Sequence, residues 1–228
     1  EKLSLYLATA VTAVAKSTYE KYLKIRPEDV YYIPNGVSQI DLATVMKNEN
    51  IKQYILFGAG RILPSKGCHI LLKAARSINF ESQIKIVGDL NYSRDYKKKI
   101  LGLSKGLNVE FLGFFKDKNK LFGYILNARM FIFPSTIEAM SMMLLEVAAL
   151  KTPIICSDIK ENKDIFNSDE VLFFKSGDHD DLANKIIFAK NNLKIMEKKA
   201  NLAYKKVISK HLWSDISERY SSLYKKYL

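Results

Sequence analysis

From about residue 53 onward the chain alternates short apolar runs with longer amphipathic ones. The short runs are rich in β-branched and aromatic residues and bounded by turn residues, the pattern of buried strands. YILFGA (54–59) is the first, followed by the loop GRILPSKG and a helix over CHILLKAARSI. QIKIVGD is the second strand, with NYSR as its loop and DYKKKILGLSKGL as its helix. VEFLGF is the third, before a short helical segment around KLFGYILNA. RMFIFPS is the fourth, TIEAMS its loop and MMLLEVAALK its helix; PIICSD and EVLFF complete the strand set. Helical stretches through DDLANKIIFAKN, KIMEKKANLAYKKVISK and WSDISERYSSLYKKYL close the chain.

Strands this apolar, alternating with helices, predict an α/β fold with a parallel sheet covered on both faces. Right-handed crossovers then make it a Rossmann-like, doubly wound parallel sheet. In such sheets ligands bind beyond the carboxyl ends of the strands, where the βα loops gather. Arg61 and Lys66 follow the first strand, Asp89 the second, Gly113 the third and Glu138 the fourth. These polar positions therefore share one rim.

The first 50 residues read differently. AVTAVAKS suits a strand, TYEKYLKI a helix, and VYYIPNGV a strand ending in a Pro-Asn-Gly turn. DLATVMKNENIKQ is polar and linker-like. Residues 1–50 are thus expected to be the tail of an N-terminal domain plus a linker, and 51–228 the main domain. A first residue of glutamate rather than methionine agrees with a missing upstream part.

Composition narrows the partners. Of 228 residues 48% are hydrophobic, which excludes a disordered chain. The formal charge of +12 suits a phosphorylated ligand, a nucleic acid or an anionic membrane surface. Lysine dominates the excess, and genomic base bias produces the same composition, so charge alone does not choose; no nucleic acid is expected on this ground. Cys68 and Cys156 form no CxxC and no metal-ligand spacing, as in a reduced cytoplasmic protein. The apolar stretch Leu3–Ala15 has thirteen residues, too few to span a bilayer, and lacks a basic leader. His69, His179 and His211 are scattered and read as structural or surface residues.

The loop from Gly60 to Gly67 is not a Walker A loop, because Ser65 stands where a glycine must precede the lysine. Its glycines still allow a ligand to approach the backbone, and Arg61 and Lys66 are spaced to bracket a diphosphate. Alone, both cations read more readily as solvated loop charges. Glu146 is more telling, since it lies in MMLLEVAAL, a helix apolar on nearly every side. Burying its carboxylate costs several kcal/mol without a partner, either a basic side chain or ligand hydroxyls. Glu138 lies just before that helix, about 12 Å along the axis from Glu146. Free amides at the helix N-terminus face the same rim. A ligand with phosphate in its middle and hydroxyl groups at both ends suits this layout, and a nucleoside-diphosphate sugar is one.

The G-R-x4-K-G loop, followed by E-x7-E in a PS-x2-E context, resembles the retaining GT-B glycosyltransferases of family 4. The resemblance extends to IPNGV (Ile33–Val37), which would join two domains, and to Trp213 in the final crossing helices. It implies the C-terminal, donor-binding half of a GT-B fold with a remnant of the N-terminal acceptor domain. It further implies a transferase moving a hexose from a nucleotide sugar to a glycan or lipid-linked acceptor with retention, by front-face substitution. Arg61 and Lys66 would hold the donor diphosphate and steady its departure, and Glu138 would bind the donor sugar. Gly60, together with the backbone of Ala139, Met140 and Ser141, would meet sugar or phosphate. Glu146 would bind the ribose, and Leu112 and Gly113 would lie beside the base. No metal or cofactor is expected, and the enzyme would be cytoplasmic, peripheral at the inner face of the membrane. Ala139 departs from the glycine often found there, narrowing the space beside the sugar. Alternatives are a GT-B epimerase, a phosphorylase, or a non-catalytic nucleotide-sugar-binding subunit that works with a separate acceptor domain.

Overall fold

The computed structural model describes residues 2–40, 45 and 54–228. Most of the polar stretch read as a linker lies outside them. The central feature is a six-stranded, all-parallel sheet built from β3 (Tyr54–Arg61), β4 (Gln83–Asp89), β5 (Val109–Gly113), β6 (Met130–Phe133), β7 (Ile154–Ser157) and β8 (Leu172–Phe174). Their order is β5-β4-β3-β6-β7-β8. The chain winds outward one way from β3, returns to place β6 beside β3, and winds outward the other way. The doubly wound expectation is met, and the winding reverses between β3 and β6.

Alternation along the strands explains the three layers. Ile55, Phe57, Met130, Ile132 and Ile155 face one core, where α3 (Cys68–Ser77), α4 (Arg94–Ser104) and α8 (His179–Asn191) pack. Leu56, Phe131, Phe133, Ile154 and Cys156 face the other, under α5 (Lys118–Leu126), α6 (Met142–Ala149) and α9 (Leu193–Lys210). Strands buried on both faces must be apolar throughout, which is why they read as continuous runs. Cys68 and Cys156 are free and fully buried, in different cores. Burial pushes both thiols well above the usual range.

Helix boundaries depart from the sequence reading where tertiary partners decide them. α4 stops at Ser104 because Arg76 on α3 donates its Nε to the Leu103 carbonyl at 2.9 Å, filling an acceptor at the helix end. α7 (Lys160–Ile165) is a helix that the polar sequence KENKDI does not announce. Its Asn162 is wholly buried and donates from Nδ2 to the Ser157 carbonyl at 2.9 Å, a contact invisible to periodicity.

The N-terminal segment comprises α1 (Lys2–Leu7), β1 (Val11–Ala13), α2 (Lys16–Leu23) and β2 (Val30–Tyr32). β1 and β2 pair in parallel as a sheet of their own. Beyond β2 the segment Pro34–Val37 runs along the junction of α9 and α10 (Trp213–Tyr227). Val37 N–H donates to the His211 carbonyl at 2.7 Å, and Trp213 N–H to the Val37 carbonyl at 3.1 Å. Gly36 has no room for a side chain, since a Cβ there would lie 2.8 Å from the Trp213 indole. Tyr227 packs the last helix home by pairing with Tyr31, hydroxyl to hydroxyl at 2.9 Å.

Candidate functional site

The reversal of winding between β3 and β6 leaves a crevice at their carboxyl ends, the place where doubly wound sheets take ligands. The loop after β3 turns through a short 3-10 helix (Pro64–Lys66) and ends at Gly67, with φ at +73°. A Cβ on Gly67 would collide with the Pro134 carbonyl in the loop after β6, so only glycine lets the two loops meet. They are stitched together by Thr136 N–H, which donates to the Ser65 carbonyl at 2.8 Å. Across this seam Lys66 Nζ lies 2.7 Å from Glu138 Oε1. The Glu138 side chain is only 9% exposed, so the lysine answers most of its carboxylate charge. The acid and the base picked out from separate loops are thus brought together.

Arg61 occupies the exposed end of β3, its register partner being Asp89 on β4. Its guanidinium lies over the Tyr92 ring, 4.9 Å from the centroid, a cation–π contact. Among the described residues no ion pair joins Arg61 to Glu138 or Glu146. A planar cation resting on an aromatic face keeps its N–H donors free for an anion. Asp89 serves the turn beside it: its Oδ1 accepts from Asn91 N–H at 2.8 Å and its carbonyl from Ile62 N–H at 2.8 Å.

Glu146 is 6% exposed within α6. The partner its burial demands is Lys118, the first residue of α5, whose ammonium bonds Glu146 Oε1. Sequence reading required such a partner without identifying it. Lys118 sits in the polar run KDKNK, and its 61% exposed side chain resembles those of the lysines around it. The pair ties the loop after β5 to α6. That loop begins at Gly113, with φ at +72°, next to half-buried Leu112.

The loop between Glu138 and α6 presents backbone rather than side chains. Ala139 is exposed, whereas Met140 and Ser141 are buried. Ser141 caps α6, its Oγ accepting from Leu144 N–H at 3.3 Å. Gly60 lies open at the end of β3, where a Cβ would touch nothing. Behind the rim, the Ser157 hydroxyl donates to the Ser135 carbonyl and binds β7 to the end of β6. The three histidines lie elsewhere: His69 beside Tyr96, His179 beside Asp180 and His211 beside Asn35. Among the described residues no three His, Cys, Asp or Glu side chains gather closely enough to hold a metal ion. Nor, among them, is any helix long and apolar enough to cross a membrane.

The fold agrees with that of solved structures the chain resembles. The capsular polysaccharide biosynthesis glycosyltransferase CapM of Staphylococcus aureus is 22% identical over 248 aligned positions, which cover the whole chain and 64% of CapM. Among solved structures, sucrose-phosphate synthase from Thermosynechococcus elongatus superposes with a TM-score of 0.84 at 23% identity, covering 99% of this chain and 60% of that one. Anabaena HepE, solved with UDP-glucose, superposes with a TM-score of 0.85 at 18% identity, covering 98% and 65%. The chain therefore spans less than two thirds of each. At these identities the structural likenesses establish the fold, the Rossmann-like half of a GT-B glycosyltransferase. Residues 43–206, most of the chain and the whole of the crevice, match the model of the family described as glycosyl transferases group 1, and the chain belongs to that family.

Proposed function

We propose that this chain is the donor-binding portion of a retaining glycosyltransferase that transfers a hexose from a nucleoside-diphosphate sugar to a glycan or lipid-linked acceptor. The observation that carries the reading is the Lys66–Glu138 pair across the crevice between β3 and β6. A diphosphate entering there meets Lys66 and the free face of Arg61, two cations for two phosphate charges. Glu138 then faces the sugar hydroxyls, and the Ala139–Ser141 backbone meets sugar or phosphate oxygens. Glu146 exchanges Lys118 for the ribose hydroxyls, and Leu112 and Gly113 flank the base. HepE was solved with UDP-glucose, which favours a UDP-sugar as the donor class.

The chemistry follows from charge. The bond between the anomeric carbon and the diphosphate oxygen breaks, and its electron pair leaves with the phosphate. Arg61 and Lys66 stabilise that developing negative charge, the task a metal ion performs in other transferases, so the reading calls for no metal. An acceptor hydroxyl bonds the anomeric carbon from the same face and gives its proton to the departing phosphate oxygen, which retains configuration. Residues 51–228 form the donor domain in this reading, and residues 1–50 are the end of an acceptor domain and its linker. The excess of lysines suits a place at the inner face of an anionic membrane. A thermal-shift panel of UDP-, GDP- and ADP-sugars tests the proposal. One nucleotide class should raise the melting temperature, and no response to any of them would refute donor binding.

A further inference from the structure

We propose that Asn35 is a positioning residue of the donor site, aiming the Ser141 amide at an oxygen of the donor. The inference rests on the donor-binding reading above and adds a residue that lies outside the crevice.

Asn35 is held from behind. Its carbonyl accepts from His211 Nδ1 at 3.3 Å, and the following residues are fixed by Val37 N–H on the His211 carbonyl at 2.7 Å and by Trp213 against Gly36. From this anchored place it grips one residue of the donor loop twice. Asn35 Nδ2 donates to the Met140 carbonyl at 3.1 Å, and Asn35 N–H donates to Met140 Sδ at 3.2 Å.

The next step is covalent geometry. The Met140 carbonyl and the Ser141 N–H belong to one planar trans peptide, so they point in opposite directions. Turning the carbonyl toward Asn35 turns the Ser141 N–H away from it. That N–H has no acceptor among the described residues, although Ser141 is only 8% exposed. An N–H at the start of α6 has no intrahelical acceptor, and at a mostly buried residue it is available to a ligand oxygen. Three residues earlier Glu138 marks the crevice. Asn35 thus sets the direction of a hydrogen bond it does not itself make. It also lies three residues past β2, so displacement of the β1–β2 sheet reaches the donor loop through a side chain rather than through the loop's own backbone.

The test uses the intact 228-residue chain. Asn35→Asp preserves shape and backbone but removes the Nδ2 donor, Asn35→Ala removes the side chain, and Tyr54→Phe is a control for losing a partly buried hydrogen bond at the far end of β3. Calorimetry with uridine, UDP and UDP-glucose should show affinity for UDP-glucose falling about three- to tenfold in both Asn35 variants. Uridine affinity should hold, and Tyr54→Phe should change neither. Hydrogen exchange of the unliganded chain should quicken in the peptide over residues 136–145 and stay unchanged over β7. Equal losses for uridine and UDP-glucose, or unchanged exchange over 136–145, would overturn the proposal. Should the wild-type chain bind neither UDP nor UDP-glucose, the donor reading fails, and faster exchange in the variants would still establish the mechanical link from Asn35 to the loop.

Discussion

Lys66 Nζ and Glu138 Oε1 stand 2.7 Å apart, although their loops leave strands from which the sheet winds in opposite directions. This pair bridges the loop after β3 to the loop after β6. Lys66→Ala leaves a mostly buried carboxylate without its cation and should cost about 1–3 kcal/mol in urea unfolding. Glu138→Ala should cost less, because the lysine can reach water. If the pair is coupled, Lys66→Ala combined with Glu138→Ala loses less stability than the two single losses added together. Strict additivity would show that the contact is incidental.

Glu146→Ala should weaken nucleotide-sugar binding about tenfold, the value of the ribose hydrogen bonds that the proposed donor site assigns to it. Lys118→Ala separates two roles for the lysine. If it is only the resting partner of Glu146, the variant binds donor at least as well as wild type, and it loses about 1–3 kcal/mol of stability because the buried Glu146 carboxylate is left without its cation. A loss of affinity matching that of Glu146→Ala would make Lys118 a donor contact in its own right. Calorimetry on both variants decides.

Arg61→Ala should reduce affinity for UDP roughly tenfold and leave uridine binding nearly unchanged, because in the proposed donor site the guanidinium meets phosphate. Tyr92→Ala should produce a smaller loss with the same selectivity, through the lost ring beneath the cation. Losses of equal size for UDP and uridine would remove Arg61 from the diphosphate.

Stability should fall on mild acidification. Burial holds His211 below the ordinary histidine value of 6.5, and Lys206, Lys210 and Arg219 push the same way against a hydrogen bond to the Asn35 carbonyl. His69 is lowered by burial, then by Lys99 and Lys73. Below 6.5 the unfolded chain therefore binds more protons than the folded one, and stability present above that pH is lost as pH falls. The lowered carboxylate of Asp158 adds the same trend only below its ordinary 3.8. Unfolding free energy should fall between about pH 7 and pH 5, and His211→Gln should flatten part of that slope. A flat profile in the wild-type chain would contradict the assignment.

The six strands of the main sheet were legible because strands buried on both faces must be apolar end to end, and turn residues mark where they stop. The rim followed from topology alone: once the strands are parallel, residues just past their carboxyl ends share one side. Glu146 was legible as a misfit, a charge in an apolar helix, and its need for a partner was a sound deduction. The partner was not legible. Lys118 sits among like-charged neighbours, and only the fold singles it out. Asn35 was hidden for a similar reason, since Pro-Asn-Gly reads as a turn and nothing local reports which distant carbonyl its amide will reach. α7 escaped because its stability comes from a buried asparagine rather than from an apolar stripe. The roles of Arg61, Lys66, Glu138 and Glu146 toward a donor rest on the family resemblance together with their place on the rim, and the variants above test them.

The two sequestered thiols give experimenters a practical opening. Neither Cys68 nor Cys156 offers a thiolate to a maleimide, as each is enclosed in its core and held protonated. A cysteine introduced at Ile137, 70% exposed beside Glu138, or at Phe114, 59% exposed beside Gly113, would carry a fluorophore on an otherwise silent background. Dyes placed in turn at these two positions, in the loops after β6 and β5, would report donor binding in solution without first stripping the native sulfur.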